Sequence, residues 1–467
     1  MSYDLPCATP RDRHTGPRRP AHPGRRGDPA PAGRPTRRRK PNAIDGIRSQ
    51  MDKWTVKDYI DNKLVHSLHT SERRSFRGCR RRWNWAYRDM LYPVVTPKAL
   101  EFGVAFHKAM EIFYAPEFWA KDQEIMKLAA LSGFRSECDM QLKRFKTLNG
   151  EPEVDVLVDY KERIELGTNM IKFYCETISP HYDQGFRPVE VEVEFEVPIT
   201  GPQGELINCK CEQCRRRWKN SDAGVKHHDD LQVKLNDRLD NYFEDHWRGL
   251  PVTYGGRLDM LAQDDEGRYW IFDWKTTARM LNEGTEEAFL ELDDQIASYC
   301  WALKTHYNIP VAGFVYVEIK KAYPQPPEEL SRLYKGRKYS TNKQFMTTYA
   351  LAKTTFEQND PTALAVGLYD DYLNWLKADG PRFHQRHQIH KNDHEIEEIG
   401  KNVYLEALDM VNNPRVYPQP GRFTCNTCLF RQPCLGKNMG EDFEYTLSTL
   451  FEKKTQHYWE EKAASTE

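Results

Sequence analysis

The most regular alternation of apolar and polar residues lies in the middle of the chain and predicts β-strands. Residues 189–197 place Val or Phe at every odd position and Glu at every even position. A period of two is typical of a strand with one packed face and one wet face, so we expect the glutamates to be solvated. Residues 254–276 contain two apolar-rich runs separated by the acidic turn 263–267. Because that turn ends in glycine, this stretch predicts a β-hairpin.

The second strand of this hairpin separates its polar and apolar side chains. Successive side chains of a strand point to opposite faces, so Asp273 and Lys275 share one face of it. In the first strand, Arg257 and Asp259 likewise share a face. The remaining face of the second strand is aromatic, with Trp270, Phe272 and Trp274. We therefore expect Asp259, Asp273 and Lys275 to meet at one end of a mostly apolar sheet.

Helical patterns flank these strands along the chain. Apolar residues recur every three or four positions, which predicts helices, over 70–92, 98–114, 293–307 and 393–411. Residues 116–186 are also largely helical in pattern, whereas 311–319 has the continuous apolar character of a buried strand. The pattern along the chain therefore contains both helices and strands.

Composition divides the chain into a tail and a body. Residues 1–50 contain nine Pro, five Gly and twelve Lys or Arg against four Asp, with few large apolar side chains. Such a segment cannot build a core, so we expect a disordered basic tail. Residues 51–467 form the folded domain in this interpretation. Within it, residues 201–250 are an inserted subdomain that contains cysteines and histidines.

The body carries most of the negative charge and has no expected membrane segment. The whole chain has a net charge of −1 and the tail has +8, which leaves −9 for the rest. No apolar run approaches the length of a membrane span, and the first residues do not resemble a signal peptide. We therefore expect an intracellular, cytoplasmic protein, whose eleven cysteines are reduced thiols or metal ligands.

The hairpin carboxylates are the first candidate chemistry. Two buried aspartates are costly unless they are paired or bind a metal ion, and oxygen ligands suit Mg²⁺. The sequence Asp-x-Lys also occurs at Asp61 and Asp159, but only Asp273 lies in an apolar strand behind Gly-Arg-x-Asp. The alternative is an ordinary buried ion pair between Asp273 and Lys275.

Two groups of cysteines are the second candidate chemistry. In the insert, Cys209, Cys211 and Cys214 precede His227 and His228. Three thiols and His227 suit a tetrahedral zinc ion, although free thiols in a loop remain the alternative. Near the C-terminus, Cys425, Cys428 and Cys434 form Cys-x₂-Cys-x₅-Cys. Since a closed metal site usually needs four ligands, the C-terminal group requires one more from elsewhere.

The order of these motifs resembles that of the PD-(D/E)XK nuclease superfamily, in its RecB/AddB-like branch. Gly-x-x-x-His-x-x-x-Glu at Gly103–Glu111 precedes the hairpin, and Gln-x-x-x-Tyr at Gln295–Tyr299 follows it. The resemblance implies a mixed α/β fold with a restriction-endonuclease-like core, in which a central mixed sheet is flanked by helices and carries helical additions. The residues that it implies as metal ligands are His107, Asp259 and Asp273, together with the backbone carbonyl of Trp274. The other catalytic residues that it implies are Lys275, Gln295 and Tyr299, and Glu111 is a weaker candidate for orienting His107.

The same resemblance implies an iron–sulfur centre. In nucleases of this branch a fourth cysteine lies before the first motif, which corresponds to Cys79 here. The expected ligands of a 4Fe–4S cluster are therefore Cys79, Cys425, Cys428 and Cys434. A zinc ion on the same four thiols is the alternative. In either case the metal centre would join two distant segments and close the domain as a ring.

Together these expectations describe a Mg²⁺- or Mn²⁺-dependent DNA nuclease that hydrolyses phosphodiester bonds. Phage-type exonucleases share this layout, so the resemblance implies an exonuclease acting in DNA replication, recombination or repair. Single strands or duplex ends would be its substrate, and a helicase or recombination protein a candidate partner. Two alternatives stay open: a non-catalytic DNA-binding iron–sulfur protein that keeps the nuclease shell, and a zinc-binding interaction module.

Overall fold

The computed structural model describes residues 65–94, 98–119, 122–222, 224–226, 249–281, 288–412 and 415–454. The predicted tail at 1–50 and the predicted zinc ligand His227 lie outside these residues. Within them, none of the helices is both long and apolar enough to cross a bilayer.

The strands of the described chain form one main sheet and two short ribbons. They are β1 (His66–Leu68), β2 (Leu91–Pro93), β3 (Phe186–Pro198), β4 (Asn208–Cys209), β5 (Leu250–Asp264), β6 (Tyr269–Thr277), β7 (Val311–Lys320), β8 (Glu329–Tyr334), β9 (Arg337–Tyr339), β10 (His384–His390) and β11 (Phe451–Lys453). The main sheet has the order β1-β5-β6-β7-β10, and β3 and β4 also pair with β5. Since β1–β5 and β6–β7 are parallel while β5–β6 and β7–β10 are antiparallel, the sheet is mixed, as predicted.

Helices surround this sheet and add a C-terminal layer. They are α1 (Thr70–Gly78), α2 (Arg80–Trp83), α3 (Lys98–Phe113), α4 (Gln123–Asn149), α5 (Val154–Phe173), α6 (Ser179–Tyr182), α7 (Glu212–Lys219), α8 (Ala288–Glu291), α9 (Asp294–Tyr307), α10 (Tyr349–Asn359), α11 (Pro361–Ala365), α12 (Asp370–Asp379), α13 (Asp393–Asn412), α14 (Arg422–Asn426), α15 (Arg431–Met439) and α16 (Phe443–Leu450). Single π-helical turns follow α2 at Asn84–Arg88 and α5 at Tyr174–Ile178.

Two apolar cores cover the two faces of the sheet. One contains residues of α9 and α13, packed on one side of β5 and β6 through Leu258 and Ile271. The other contains residues of α3, α4 and α5, packed on the opposite side through Phe272 and Trp274. The predicted alternation of the second hairpin strand is thus confirmed, and the fold is the helix-flanked α/β sandwich expected from the sequence.

The sheet opens in the middle of β5. Strand β3 pairs with β5 along 253–264, which occupies one edge. On the other edge, β1 pairs with 252–254 and β6 pairs with 260–263. Residues 255–259 therefore have no strand partner on that edge within the described chain. The opening ends at Asp259, so the fold itself creates a recess beside the predicted site.

Two predicted elements differ in detail from the observed ones. The helical prediction over 70–92 is interrupted at Cys79, whose backbone is extended with φ −167° and ψ 111°. Its aromatic residues Trp83 and Trp85 are buried and pack in the core. Where the sequence pattern indicated no strands, the chain forms the hairpin β8–β9, whose turn residues Lys335 and Gly336 both have positive φ.

Candidate active site

The gap between β5 and β6 is bridged by the first predicted aspartate. Asp259 lies at the end of the unpaired stretch of β5, where the ladder between the two strands has stopped. Its Oδ2 atom accepts a hydrogen bond of 2.9 Å from the backbone N–H of Trp274. Because the carboxylate replaces a missing strand partner, its position is fixed by the backbone of β6.

His107 reaches Asp259 from helix α3. Its Nδ1 atom lies 3.2 Å from Asp259 Oδ1, and the two side chains are 26% and 16% exposed. The predicted convergence of a helix histidine and a strand aspartate is therefore present. Glu111, one turn further along, pairs with Lys108 at 2.7 Å. The carboxylate that contacts His107 is that of Asp259.

Glu192 of β3 completes a three-residue group that the sequence pattern did not predict. One potential ligand atom each from His107, Glu192 and Asp259 lies within 4.8 Å of the others. The expectation that the glutamates of β3 are solvated is wrong at this position, because Glu192 has a left-handed backbone with φ 50° and breaks the alternation. Arg257 holds the Glu192 carboxylate, with Nε 2.8 Å from Oε2.

Asp273 and Lys275 form a close ion pair next to this group. Lys275 Nζ donates to Asp273 Oδ1 at 2.7 Å and lies 2.6 Å from Oδ2. The contact to Oδ2 lacks hydrogen-bond geometry, so this buried oxygen has no hydrogen-bond donor in the described chain. Asp273 does not belong to the three-residue group. Because Asp273 Oδ2 accepts no hydrogen bond from the described residues, this oxygen is nevertheless able to bind a cation.

Mutual electrostatics set the protonation states in the site. Burial alone lowers the pKa of His107, but the adjacent Asp259 carboxylate outweighs it and leaves the pKa raised. Burial raises the pKa of Asp259, yet His107 and Lys275 bring its net pKa below the usual value. For Asp273, burial dominates over Lys275 and the pKa is raised. Burial also raises the pKa of Glu192 against the opposing effect of Arg257.

The donor set fits a divalent cation. Two carboxylates and an imidazole supply the converging oxygen and nitrogen atoms, while Asp273 offers a further oxygen alongside. Oxygen ligands suit Mg²⁺, and an imidazole nitrogen is compatible with Mn²⁺ and later transition metals. The partial exposure of His107 and Asp259 leaves the group reachable from solvent.

Comparison with known families agrees with this geometry. The sequence profile of the PD-(D/E)XK nuclease superfamily matches residues 70–435. The chain belongs to this superfamily. Its members are in general metal-dependent nucleases that hydrolyse phosphodiester bonds, and the divalent-metal chemistry expected of this nuclease follows from that membership. No individually curated protein matches the chain.

The predicted substrate residues of the nuclease lie on helix α9. Gln295 Nε2 lies 3.5 Å from the Tyr299 hydroxyl, and Arg74 of α1 donates to Gln295 Oε1 at 3.0 Å. Asp293 caps the helix by accepting from the Gln295 N–H at 2.8 Å. Burial raises the pKa of Tyr299, and the charge of Asp273 contributes in the same direction, which places this phenol near the carboxylates.

Among the C-terminal cysteines of the nuclease, Cys428 lies near enough to Cys79 for an electrostatic effect. Cys79, Cys425, Cys428 and Cys434 do not form one of the close groups of potential metal ligands in the described chain. Burial raises the pKa of Cys428, and both Cys79 and Cys425 act on it electrostatically. The backbone N–H of Gln419 points to Cys79 Sγ at 3.5 Å, and Arg81 donates to Cys434 Sγ at 3.3 Å. Cys428 and Cys434 also pack on the buried rings of a small C-terminal core. Donors directed at cysteine sulfurs are typical of metal-bound thiolates.

The insert cysteines meet a histidine that sequence spacing did not reveal. Cys209, Cys211 and Cys214 converge with His66 of β1, so that one ligand atom of each lies within 4.8 Å of the others. His66 is 143 residues before Cys209 in the numbering, and local motif spacing cannot identify so distant a ligand. The role predicted for His227 stays a prediction, because that residue lies outside the described chain.

Proposed function

We propose that this protein is a Mg²⁺- or Mn²⁺-dependent deoxyribonuclease, and specifically an exonuclease acting on single strands or duplex ends. The observation that carries the proposal is the convergence of His107, Glu192 and Asp259 beside the Asp273–Lys275 pair. Three strands, a helix and an edge opening of the sheet contribute to this one place, which is the arrangement needed for metal-assisted hydrolysis.

The catalytic roles follow from the position of each side chain. His107, Asp259 and Asp273 hold the cation in this proposal, with Glu192 as an additional ligand and the Trp274 carbonyl by resemblance. A cation held there would activate a bound water molecule for attack and polarise the scissile phosphate. Lys275, whose raised pKa beside Asp273 keeps it cationic against the effect of burial, stabilises the negative charge that develops on the phosphate.

Substrate contacts are assigned to helix α9 and its neighbour α1. Gln295 and Tyr299 position the nucleic acid near the carboxylates, and Arg74 fixes the Gln295 amide by its 3.0 Å hydrogen bond. Arg74 is 43% exposed and also pairs with Asp293 at 2.6 Å, so a phosphate oxygen would compete with that carboxylate for the guanidinium. DNA is the proposed substrate, because the superfamily consists of nucleases. The proposed process is DNA replication, recombination or repair inside the cell. A helicase or a recombination protein is the candidate partner.

An iron–sulfur centre completes the proposal. Cys79, Cys425, Cys428 and Cys434 are assigned as ligands of a 4Fe–4S cluster. The support is the extended backbone at Cys79, which breaks the helix there, and the N–H groups directed at two of the sulfurs. The cluster has a structural role in this assignment, because two of its proposed ligands, Cys428 and Cys434, pack against the C-terminal core.

The test is cleavage of end-labelled DNA by an Asp273→Asn variant. We expect loss of Mn²⁺-dependent cleavage by at least about a thousandfold, since a removed charge in the site costs several kcal/mol of transition-state stabilisation. Binding of DNA and the cluster absorbance should be retained. Asp159→Asn is a matched control. Asp159 also stands in an Asp-x-Lys sequence, but it is an exposed residue of helix α5 that pairs with Lys98 of helix α3.

Two results would contradict the proposal. Cleavage at the wild-type rate by Asp273→Asn would exclude the catalytic assignment. A wild-type protein that binds DNA but leaves linear strands intact at all Mg²⁺ and Mn²⁺ concentrations would favour the non-catalytic alternative. Comparison of linear with covalently closed circular DNA separates an exonuclease from an endonuclease, because the circle has no ends.

A further inference from the structure

The insert holds a second potential metal site, separate from the catalytic recess. Cys209 belongs to β4, Cys211 directly precedes α7, and Cys214 lies in its first turn. His66 lies in β1, which pairs in parallel with β5. Its Nδ1 atom is 3.0 Å from Cys214 Sγ. Four side chains from three elements thus point to one spot.

We propose that His66, Cys209, Cys211 and Cys214 bind one structural Zn²⁺ ion, which fastens the insert to the edge strand β1. Three thiolates and one imidazole form a complete tetrahedral set. With Zn–S bonds of about 2.3 Å, the ligand atoms of a tetrahedron lie roughly 3.8 Å apart. The observed atoms lie within 4.8 Å of one another, which requires only a small contraction around the ion.

The spacing of the ligands and their burial favour a single ion over other uses of these residues. A four-iron cluster would spread its sulfur ligands over the corners of a larger cage, whereas these atoms are close enough to share one ion. Cys209 is 0% exposed and Cys214 is 3% exposed, while His66 and Cys211 are partly buried. A set of four protein ligands leaves no open position for catalysis. All three cysteines are free thiols, so no two of them are joined in a disulfide.

The surroundings of His66 support a metal-bound imidazole. Its Nε2 atom faces the buried carboxylate of Glu72 at 4.0 Å, and Trp83 Nε1 donates to that carboxylate at 3.0 Å. A carboxylate behind the far nitrogen of a ligand histidine orients the ring and fixes its tautomer. Glu72 is therefore a positioning residue for His66 in this proposal.

Positive charge is also available to balance the complex. Zn²⁺ with three thiolates and a neutral histidine carries a net charge of −1. Arg217, in the same helix as Cys214, donates to the backbone carbonyl of Val65 at 3.1 Å, next to His66. Arg88 stacks on the Trp83 ring with 4.9 Å between guanidinium carbon and ring centroid. Two arginines thus lie beside the proposed anionic centre.

The proposed ion has a consequence for the architecture. Strand β1 is only three residues long and borders the opening at 255–259 in β5. A three-residue strand has few backbone hydrogen bonds, so a metal bond at His66 would hold it in place. A Cβ atom at Gly255 would lie 2.7 Å from Ser67 Oγ, which shows how closely β1 approaches that opening. Loss of the ion should therefore loosen one wall of the recess.

The experiment measures zinc and iron in the full-length chain after extensive dialysis against a weak chelator. We expect about one Zn²⁺ per chain in the wild type, and zinc loss in Cys211→Ser with iron content unchanged. Cys138→Ala is the matched control, because Cys138 is a fully buried thiol outside the proposed site. Glu72→Gln should retain the ion with roughly 10–100-fold weaker affinity.

The histidine ligand is tested by His66→Cys, since a fourth thiolate can replace imidazole without loss of the ion. After substitution of Zn²⁺ by Co²⁺, this variant should show stronger thiolate-to-cobalt absorption than the wild type. His227→Ala should leave zinc content unchanged. Zinc retained at wild-type affinity in His66→Ala, zinc lost in His227→Ala, or iron rather than zinc lost in Cys211→Ser would each overturn the proposal.

Discussion

Glu192 is the residue of the site with the least expected position. It stands in a strand, yet its left-handed backbone turns the carboxylate towards His107 and Asp259. If it binds the catalytic cation, Glu192→Gln removes one anionic ligand while it keeps the size of the side chain. We expect about 10–100-fold weaker Mn²⁺ affinity, by analogy with other lost metal interactions, measured by calorimetry.

The control for Glu192→Gln lies two residues away. Glu194→Gln removes the same charge from an exposed glutamate of β3, 3.9 Å from Arg257. It should leave Mn²⁺ affinity within about twofold, because solvent-exposed ion pairs contribute little. Equal losses in the two variants would mean that long-range charge, and not ligation by Glu192, sets the affinity.

If His107 binds the proposed cation, the affinity for that cation should depend on pH. Its pKa is raised by Asp259, which outweighs the opposite effect of burial, so the protonated form persists above the usual pKa of imidazole. A ligand histidine must be neutral. Mn²⁺ affinity should therefore rise with pH through the raised pKa of His107, by up to about tenfold per pH unit below it.

A series of Mn²⁺ titrations between about pH 6 and pH 8 measures this dependence. Protonation of Asp273, whose pKa is raised because burial outweighs Lys275, would oppose cation binding in the same way at lower pH. In His107→Ala the slope should be reduced, since one of the competing protons is gone. An unchanged slope in that variant would exclude His107 as the titrating ligand.

Sequence reasoning located the aspartates and the lysine but not Glu192. Asp259, Asp273 and Lys275 follow from the period of two in a hairpin, where the side-chain face depends only on local order. Glu192 depends on a single positive φ angle, which no alternation pattern encodes. His66 was missed for a related reason, because its proximity to Cys214 arises from the parallel pairing of β1 with β5.

At the scale of elements, the contact between β5 and α9 depends on a residue without a side chain. A Cβ atom at Gly256 would lie 2.5 Å from the Phe195 ring and 2.8 Å from the Tyr299 ring. We expect Gly256→Ala to lower the free energy of unfolding by about 1–3 kcal/mol through overpacking. The shift of Tyr299 should also raise KM for DNA, measured by steady-state cleavage.

Gly103→Ala is the matched control for this substitution. Nothing lies within 4 Å of a Cβ atom at Gly103 in helix α3, and alanine is the better helix former by about 1 kcal/mol. Denaturant unfolding should therefore show a stability equal to or above that of the wild type. Equal destabilisation by the two variants would argue against close packing at Gly256.

The elements themselves were largely predictable, and the exceptions have physical causes. Helices α3, α9 and α13 follow from strong apolar periodicity. The break at Cys79 does not, because 70–92 keeps helical periodicity on both sides of a residue that is extended in the fold. Arg73 is another exception: its side chain is 0% exposed and pairs with Asp294 and Glu406, although an arginine on a helix is usually solvated.

At the scale of the whole molecule, the two ends of the folded chain are joined. Strand β2 pairs with β11 near the C-terminus, and Trp85 packs on Phe430 with ring centroids 5.6 Å apart. The proposed cluster adds a covalent link from Cys79 to Cys425, which are 425 − 79 = 346 positions apart. Such a link stabilises mainly by restricting the unfolded chain.

Removal of one cluster ligand tests this closure. Cys428→Ser should abolish the visible absorbance and iron content of anaerobically purified protein. Loop-closure entropy for a ring of this size predicts a loss of stability on the order of 5 kcal/mol, measured by thermal unfolding. Cys300→Ala, at a buried thiol in helix α9, should keep its iron. Wild-type protein with zinc and no iron on these thiols would replace the cluster by the zinc alternative.

The left-handed backbone of Glu192 implies a trade-off between the stability of the fold and the function of the proposed site. A non-glycine residue in that conformation costs about 1–2 kcal/mol, and glycine would relieve the cost without a change in the course of β3. Glu192→Gly should therefore raise the free energy of unfolding and weaken cation binding at the proposed site. Because glycine would suit the backbone of position 192 better than glutamate does, we infer that the carboxylate has a functional role there.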